Sequence, residues 1–158
     1  MTKALLVLAL ISGSLLGDDP AVTDGMSNGM AWNGLGGGNA KTAVMLKLLY
    51  LVGLADGYQH GRSELIPNLF SEPATGQEQK VAELIPDLLP AKAGFPEMIA
   101  ELDGFYGNHL NLEIPIPIAA RYIKAKLEGR PAKELGESLK RLRTLYNIQK
   151  ELKSLNGK

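Results

Sequence analysis

Two short runs place ionisable and polar groups inside otherwise apolar surroundings: Asp56-Gly57-Tyr58-Gln59-His60 and Asp103-Gly104-Phe105-Tyr106. Two carboxylates and a titrating imidazole have the makings of acid–base hydrolysis, provided burial splits the pKa values of the two acids. If the helices that carry them pack in one bundle, Asp56 and Asp103 approach each other, with His60, Tyr58, Tyr106 and Arg121 nearby. The same residues fit a purely structural part. A buried aspartate accepts hydrogen bonds from tyrosine hydroxyls, from Arg121 or from free N–H groups at a helix start, and so fixes helix register. Metal binding lacks its parts, because His60 and His109 are the only histidines and no pair falls at i, i+4 ligand spacing. Gly34-Leu-Gly-Gly-Gly-Asn-Ala-Lys-Thr42 misses the phosphate-loop pattern at both of its glycines, where Leu35 and Ala40 stand. No cofactor is expected.

The elements that must position these groups belong to one domain. A chain of 158 residues, 45% hydrophobic and 22% charged, has room for a single real core. With no cysteine, disulfides, thiolate metal sites and cysteine nucleophiles are excluded together. The formal charge is zero but unevenly spread. Residues 1–120 hold 6 Lys/Arg against 13 Asp/Glu (net −7), and residues 121–158 hold 11 against 4 (net +7). Such a chain either satisfies its charges internally or shows a dipolar surface to a partner.

Residues 1–17 read as a signal peptide: Lys3, an unbroken apolar run over 4–11, then small residues at Ser12-Gly13-Ser14 or Gly17. A buried N-terminal helix is the other reading. The run is short of the ~20 apolar residues that cross a bilayer, so no membrane span is expected in the mature chain. The product is then periplasmic or secreted.

Residues 18–39 read as a flexible Gly-rich leader from which Trp32 tucks against the domain, since so large an aromatic is costly to leave wet. The helical domain is expected over 40–158. Asn39 caps a first long helix to about residue 60, ended by Gly61, and its apolar run 43–55 suggests the centre of a bundle. Gly53 and Gly57, four apart, let another helix approach. Residues 62–72 read as a loop. Thr75-x-x-Glu78 is a capping box before Val81, Leu84, Ile85 and Leu88, and Pro86 should kink or end that helix. Met98, Ile99, Leu102, Phe105 and Tyr106 form one helical stripe. Pro115 and Pro117 stiffen an apolar strap from Leu112 to Ile116. Helices follow over 117–127, closed by Gly129, and from Pro131 to about Leu155, with Leu135, Leu139, Leu142, Leu145, Tyr146 and Leu152 inward. The fold class is therefore all-α, a single small bundle of about five helices. The basic residues of the last helix alternate with Glu134, Glu137 and Glu151, which suits a solvated face and no nucleic-acid role.

The order Trp32…Tyr50-x-x-Gly53-x-x-Asp56-Gly57…Leu102-Asp103-x-Phe105-Tyr106…Asn111-x-x-Ile114-Pro115 resembles small bacterial exported helical proteins of unassigned function with a W…YxxGxxDG…LDxFY…NxxIP pattern. More distantly, the YxxGxxDG helix is similar to that of the Rap1a/Tai immunity proteins, periplasmic domains that block a peptidoglycan-cleaving effector. That family commonly has cysteines, and this chain has none. The expectation is an exported, non-enzymatic module that binds a protein partner in the cell envelope, immunity- or inhibitor-like or accessory to an envelope complex. Its contact surface would be the strap at 111–117 and a groove beside Tyr106, with Asp56, Tyr58, His60, Asp103, Tyr106, Asn111 and Arg121 as binding residues. The alternatives are a cell-wall-directed hydrolase using Asp56, Asp103 and His60, or a carrier of a small apolar ligand.

Overall fold

The computed structural model describes residues 19–69, 88–90 and 93–156, with side chains other than those of 62–69, 149–150 and 152–156. The expected signal peptide and the Thr75 capping box lie outside the described residues, as do Val81, Leu84, Ile85 and Pro86 of the helix expected after it. In chain order come strands β1 (Val22–Thr23) and β2 (Met26–Ser27), then helices α1 (Gly29–Gly34), α2 (Ala40–Leu69) and α3 (Phe95–Tyr106). A 3-10 turn at His109–Asn111 leads to α4 (Ile116–Leu127) and α5 (Ala132–Asn156). The described part is thus a small, mostly helical domain of five helices with no closed sheet. Among the described residues no helix is long and apolar enough to cross a membrane.

Residues 21–35, expected within a flexible leader, are folded against the helices. Asp24 and Gly25 both take positive φ (52° and 75°), the backbone of a two-residue hairpin turn, and pair β1 with β2 antiparallel. Asn28 then caps α1. It is wholly buried, accepts from the Met30 N–H at 2.9 Å, and donates to the Pro20 carbonyl at 2.8 Å and to Thr23 Oγ1 at 3.0 Å. Every polar atom of its amide is used, which is what burial of an amide requires.

The core is centred on α3 and α4. Met98, Ile99, Leu102, Phe105 and Tyr106 are all buried, as their spacing predicts, and they meet Ile114, Ile116, Ala119, Ala120 and Ile123. Pro115, at φ −59° and ψ 143°, starts α4 and holds Ile114 and Ile116 inward, both at 0% exposure. Lys126 and Glu101 tie α4 to α3 with an ion pair at the surface. Gly129 closes α4 at φ 84°, as expected.

The long first helix departs from expectation in three ways. Asn39 does cap it, accepting from the Thr42 N–H at 3.0 Å. It then continues through Gly61 to Leu69, over part of what read as a loop. Gly61 is not among the glycines with positive φ, so it is an ordinary helical residue. A lone interior glycine costs a helix about 1 kcal/mol and does not stop it. Finally, 43–55 is not the centre of the bundle. Lys47, Leu51, Leu54 and Tyr58, at i, i+4, i+7 and i+11, face inward, whereas Val44, Met45, Leu48 and Leu49 are exposed. Gly53 and Gly57 have no described atom within 4 Å of where a Cβ would stand, so no described helix approaches them. On α5 the buried line is Leu135, Leu139, Leu142 and Tyr146. Leu145 falls about 100° round from Tyr146 and is half exposed.

Candidate functional site

Asp103 is the polar group on which three helices converge. The apolar stripe of α3 turns Leu102 and Tyr106 inward and leaves Asp103 at the edge, with 44% of its side chain exposed. Its Oδ1 accepts from Trp32 Nε1 of α1 at 2.7 Å and from Lys47 Nζ of α2 at 2.6 Å. Lys47 Nζ also lies 5.2 Å from the centroid of the Trp32 ring, a cation–π distance. The Tyr50 ring meets that of Trp32 edge-on at 6.3 Å. Trp32 is 0% exposed, so its indole N–H would be orphaned without the carboxylate. Lys47 is only 12% exposed at its side chain and needs the same acid.

A second knot surrounds Tyr106. Its hydroxyl donates to the Ile114 carbonyl at 2.9 Å, fastening the strap to α3. Asn111 donates to the Phe105 carbonyl at 2.7 Å and accepts from Arg143 Nε of α5 at 2.8 Å. Asn33 donates to the Tyr106 carbonyl at 3.2 Å, and the Gly29 N–H donates to the Leu112 carbonyl at 2.9 Å. Burial pushes the Tyr106 phenol well above its ordinary range. Burial also raises Tyr50, against a hydrogen bond with Ser27 that lowers it, and raises Tyr146 with help from the charge of Asp24.

The residues singled out in sequence are therefore not one cluster. Asp103, Tyr106 and Asn111 sit in the two knots on α3 and the strap. Asp56 and His60 are exposed on α2, one turn apart, and His60 has its own interaction. Nine residues separate Asp56 from Lys47, which is roughly 13 Å along the helix and half a turn around it. Asp56 thus leaves α2 on the side away from the Lys47–Asp103 pair, and the three members of the expected hydrolytic set are not brought together. Tyr58 and Arg121 do meet, with the guanidinium 5.5 Å from the ring centroid. Among the described residues no group of three His, Asp or Glu side chains could hold a metal.

Sequence reading missed Lys47, although its signal was present: a single charge in an apolar helical run must find a partner. It also denies the chain any G-x-S-x-G element, the pattern of a nucleophile elbow, and that is wrong: Gly25-Met26-Ser27-Asn28-Gly29 spells it. Ser27 lies on the hairpin strand β2, not on a strand-to-helix elbow of a large sheet, and the partner seen for its side chain is Tyr50.

The strap cannot be the outer contact surface expected of it. Asn111 is 3% exposed, and Ile114, Pro115 and Ile116 are wholly buried, because the extended segment between the two helices inserts into the core. The open apolar surface is on α2. Val44, Met45, Leu48 and Leu49 are 37–61% exposed on one face, which runs on into a shallow groove of about 340 Å³ lined by Gly53, Leu54, Gly57, Tyr58 and Gly61. The chain matches no protein-family model, no curated protein and no solved structure.

Proposed function

We propose that the protein is an exported, non-enzymatic binding module that holds a protein partner of the cell envelope on the outer face of α2. The observation that carries this reading is the exposure of four large apolar side chains at i, i+1, i+4 and i+5 on one helix. Within 43–55 the only charge is Lys47, and it is engaged with Asp103 on the other side. A contiguous apolar face without charge is the composition of an interface centre. The glycines that follow let a partner backbone come close, and the helix supplies anchors at the spacing used for helix-in-groove recognition.

The residues of the W…YxxGxxDG…LDxFY…NxxIP pattern support the same division of labour. Trp32, Asp103, Tyr106, Asn111, Ile114 and Pro115 fasten the fold, whereas Gly53 and Gly57 of the same pattern lie in the groove offered to the partner.

A photo-crosslinking amino acid at Leu49, with a second at exposed Glu137 on α5 as control, tests the proposal in envelope extract. The Leu49 probe should give a discrete protein adduct that is lost when Met45→Glu is added, and the Glu137 probe should not give it. No adduct from Leu49 at either low or moderate salt, or the same adducts from both positions, would overturn the assignment.

A further inference from the structure

Between α4 and α5 lies a second, chemically different depression of about 500 Å³. Leu135, which is buried, and the half-buried Tyr122 and Leu142 form its apolar floor. Four cations line it, Arg121, Lys124, Arg130 and Arg141, against one carboxylate, Glu128. Glu128 lies 3.6 Å from Lys124, so the acid is matched within the rim, and Arg121 is engaged with Tyr58; the guanidinium groups of Arg130 and Arg141 remain in excess. Arg130 and Arg141 are exposed, and no carboxylate among the described residues forms an ion pair with either.

We infer that this groove binds a single-chain amphiphile with a carboxylate or phosphate head. Its volume is on the scale of a small-ligand site, typically ~300–1,000 Å³. Guanidinium forks match carboxylate and phosphate oxygens two bonds at a time, which a neutral or cationic head cannot reproduce. The aliphatic and aromatic floor accepts an alkyl chain and releases its hydration water. Among the described residues the groove is lined by none of α2, and it meets the α2 groove only where Arg121 touches Tyr58. It also collects part of the positive excess that the sequence concentrates beyond residue 120.

The test uses the whole chain and monomeric probes held below their micelle-forming concentrations. Decyl phosphate and decanoate should bind saturably at one site, with amide shifts on α4 and α5. Decanol should bind about ten-fold more weakly or worse, and decyltrimethylammonium not at all. Arg130→Glu with Arg141→Glu, both at exposed positions, should weaken decyl phosphate about ten-fold while the thermal midpoint stays that of the wild type. Arg130→Gln with Arg141→Gln should fall between. Equal affinity for decanol, or unchanged affinity in both double variants, overturns the proposal. Pelleting with anionic vesicles in the absence of monomer binding overturns it too, and assigns the cations to a lipid surface.

Discussion

Gly29 lies so close to the ring of Tyr106 that a Cβ on it would stand 2.3 Å from Cδ1 and 2.7 Å from Cε1. The first residue of α1 is therefore packed face to face with the last residue of α3, and the Leu112 backbone closes the third side at 3.0 Å. Nothing there can yield, because Tyr106 is itself anchored at its hydroxyl. Gly29→Ala should destabilise the domain by about 1–3 kcal/mol through overpacking, read as a lower midpoint in denaturant with an unchanged slope. A wild-type midpoint would mean that the hairpin and α1 do not dock on α3.

Gly53 is the counter-example. With no described atom within 4 Å, Gly53→Ala should be neutral or stabilise by about 0.5–1 kcal/mol, the ordinary gain from removing a helix-interior glycine. This reverses the outcome expected from sequence, where Gly53 was a close-contact position. A clear loss of stability, measured by thermal unfolding, would place another segment against it.

Tyr106→Phe should cost about 1–3 kcal/mol at neutral pH, since it leaves the Ile114 carbonyl without its donor. It should also change the alkaline limb. Tyrosine titrates near ~10 in an unfolded chain, and burial raises Tyr106, Tyr50 and Tyr146 above that. Above that pH the unfolded chain has released protons that the native state keeps, so stability falls as pH rises, and below it these groups add no slope. Removing Tyr106 takes away its share, up to about 1.4 kcal/mol per pH unit, and the limb should be shallower. An equally steep limb in the variant would show that the phenol is not held neutral.

Asn111→Ala should cost about 1–3 kcal/mol, because the Phe105 carbonyl and Arg143 Nε both lose their partner in a nearly closed site. Arg143→Ala should cost less, as Asn111 keeps its bond to Phe105. Equal losses in the two variants, by chemical denaturation, would mean that the arginine carries the contact.

Where a periodic pattern meets a neighbour on one side, the chain's letters were a sufficient guide. The stripe from Met98 to Tyr106, the stiff Ile114-Pro115-Ile116 strap, the Gly129 stop and the docking of Trp32 all follow from spacing, φ restriction or size. Helix α2 departs from its pattern because apolar content is not burial: Leu51 is buried and its neighbours Leu48 and Leu49 are not. Asp-Gly occurs three times with two outcomes. At Asp24-Gly25 it is a hairpin turn, and at Asp56-Gly57 and Asp103-Gly104 it is ordinary helix, because only the first lies between segments able to pair. Which partners Asp103 would take was not legible, since Trp32 and Lys47 reach it from 71 and 56 positions away. The α4–α5 groove was equally hidden, because its cations come from two helices and the loop between them.

That Asp103 is committed to the fold, and so is not at liberty to act on a substrate, is tested most directly by a double-mutant cycle with Trp32. Unfolding free energies of Trp32→Phe, Asp103→Ala and the double variant should show a coupling of about 1–2 kcal/mol, as for a hydrogen bond to a partly exposed carboxylate. Losses that add to within about 0.3–0.5 kcal/mol, with all variants folded, would contradict it and return Asp103 to the candidates for chemistry.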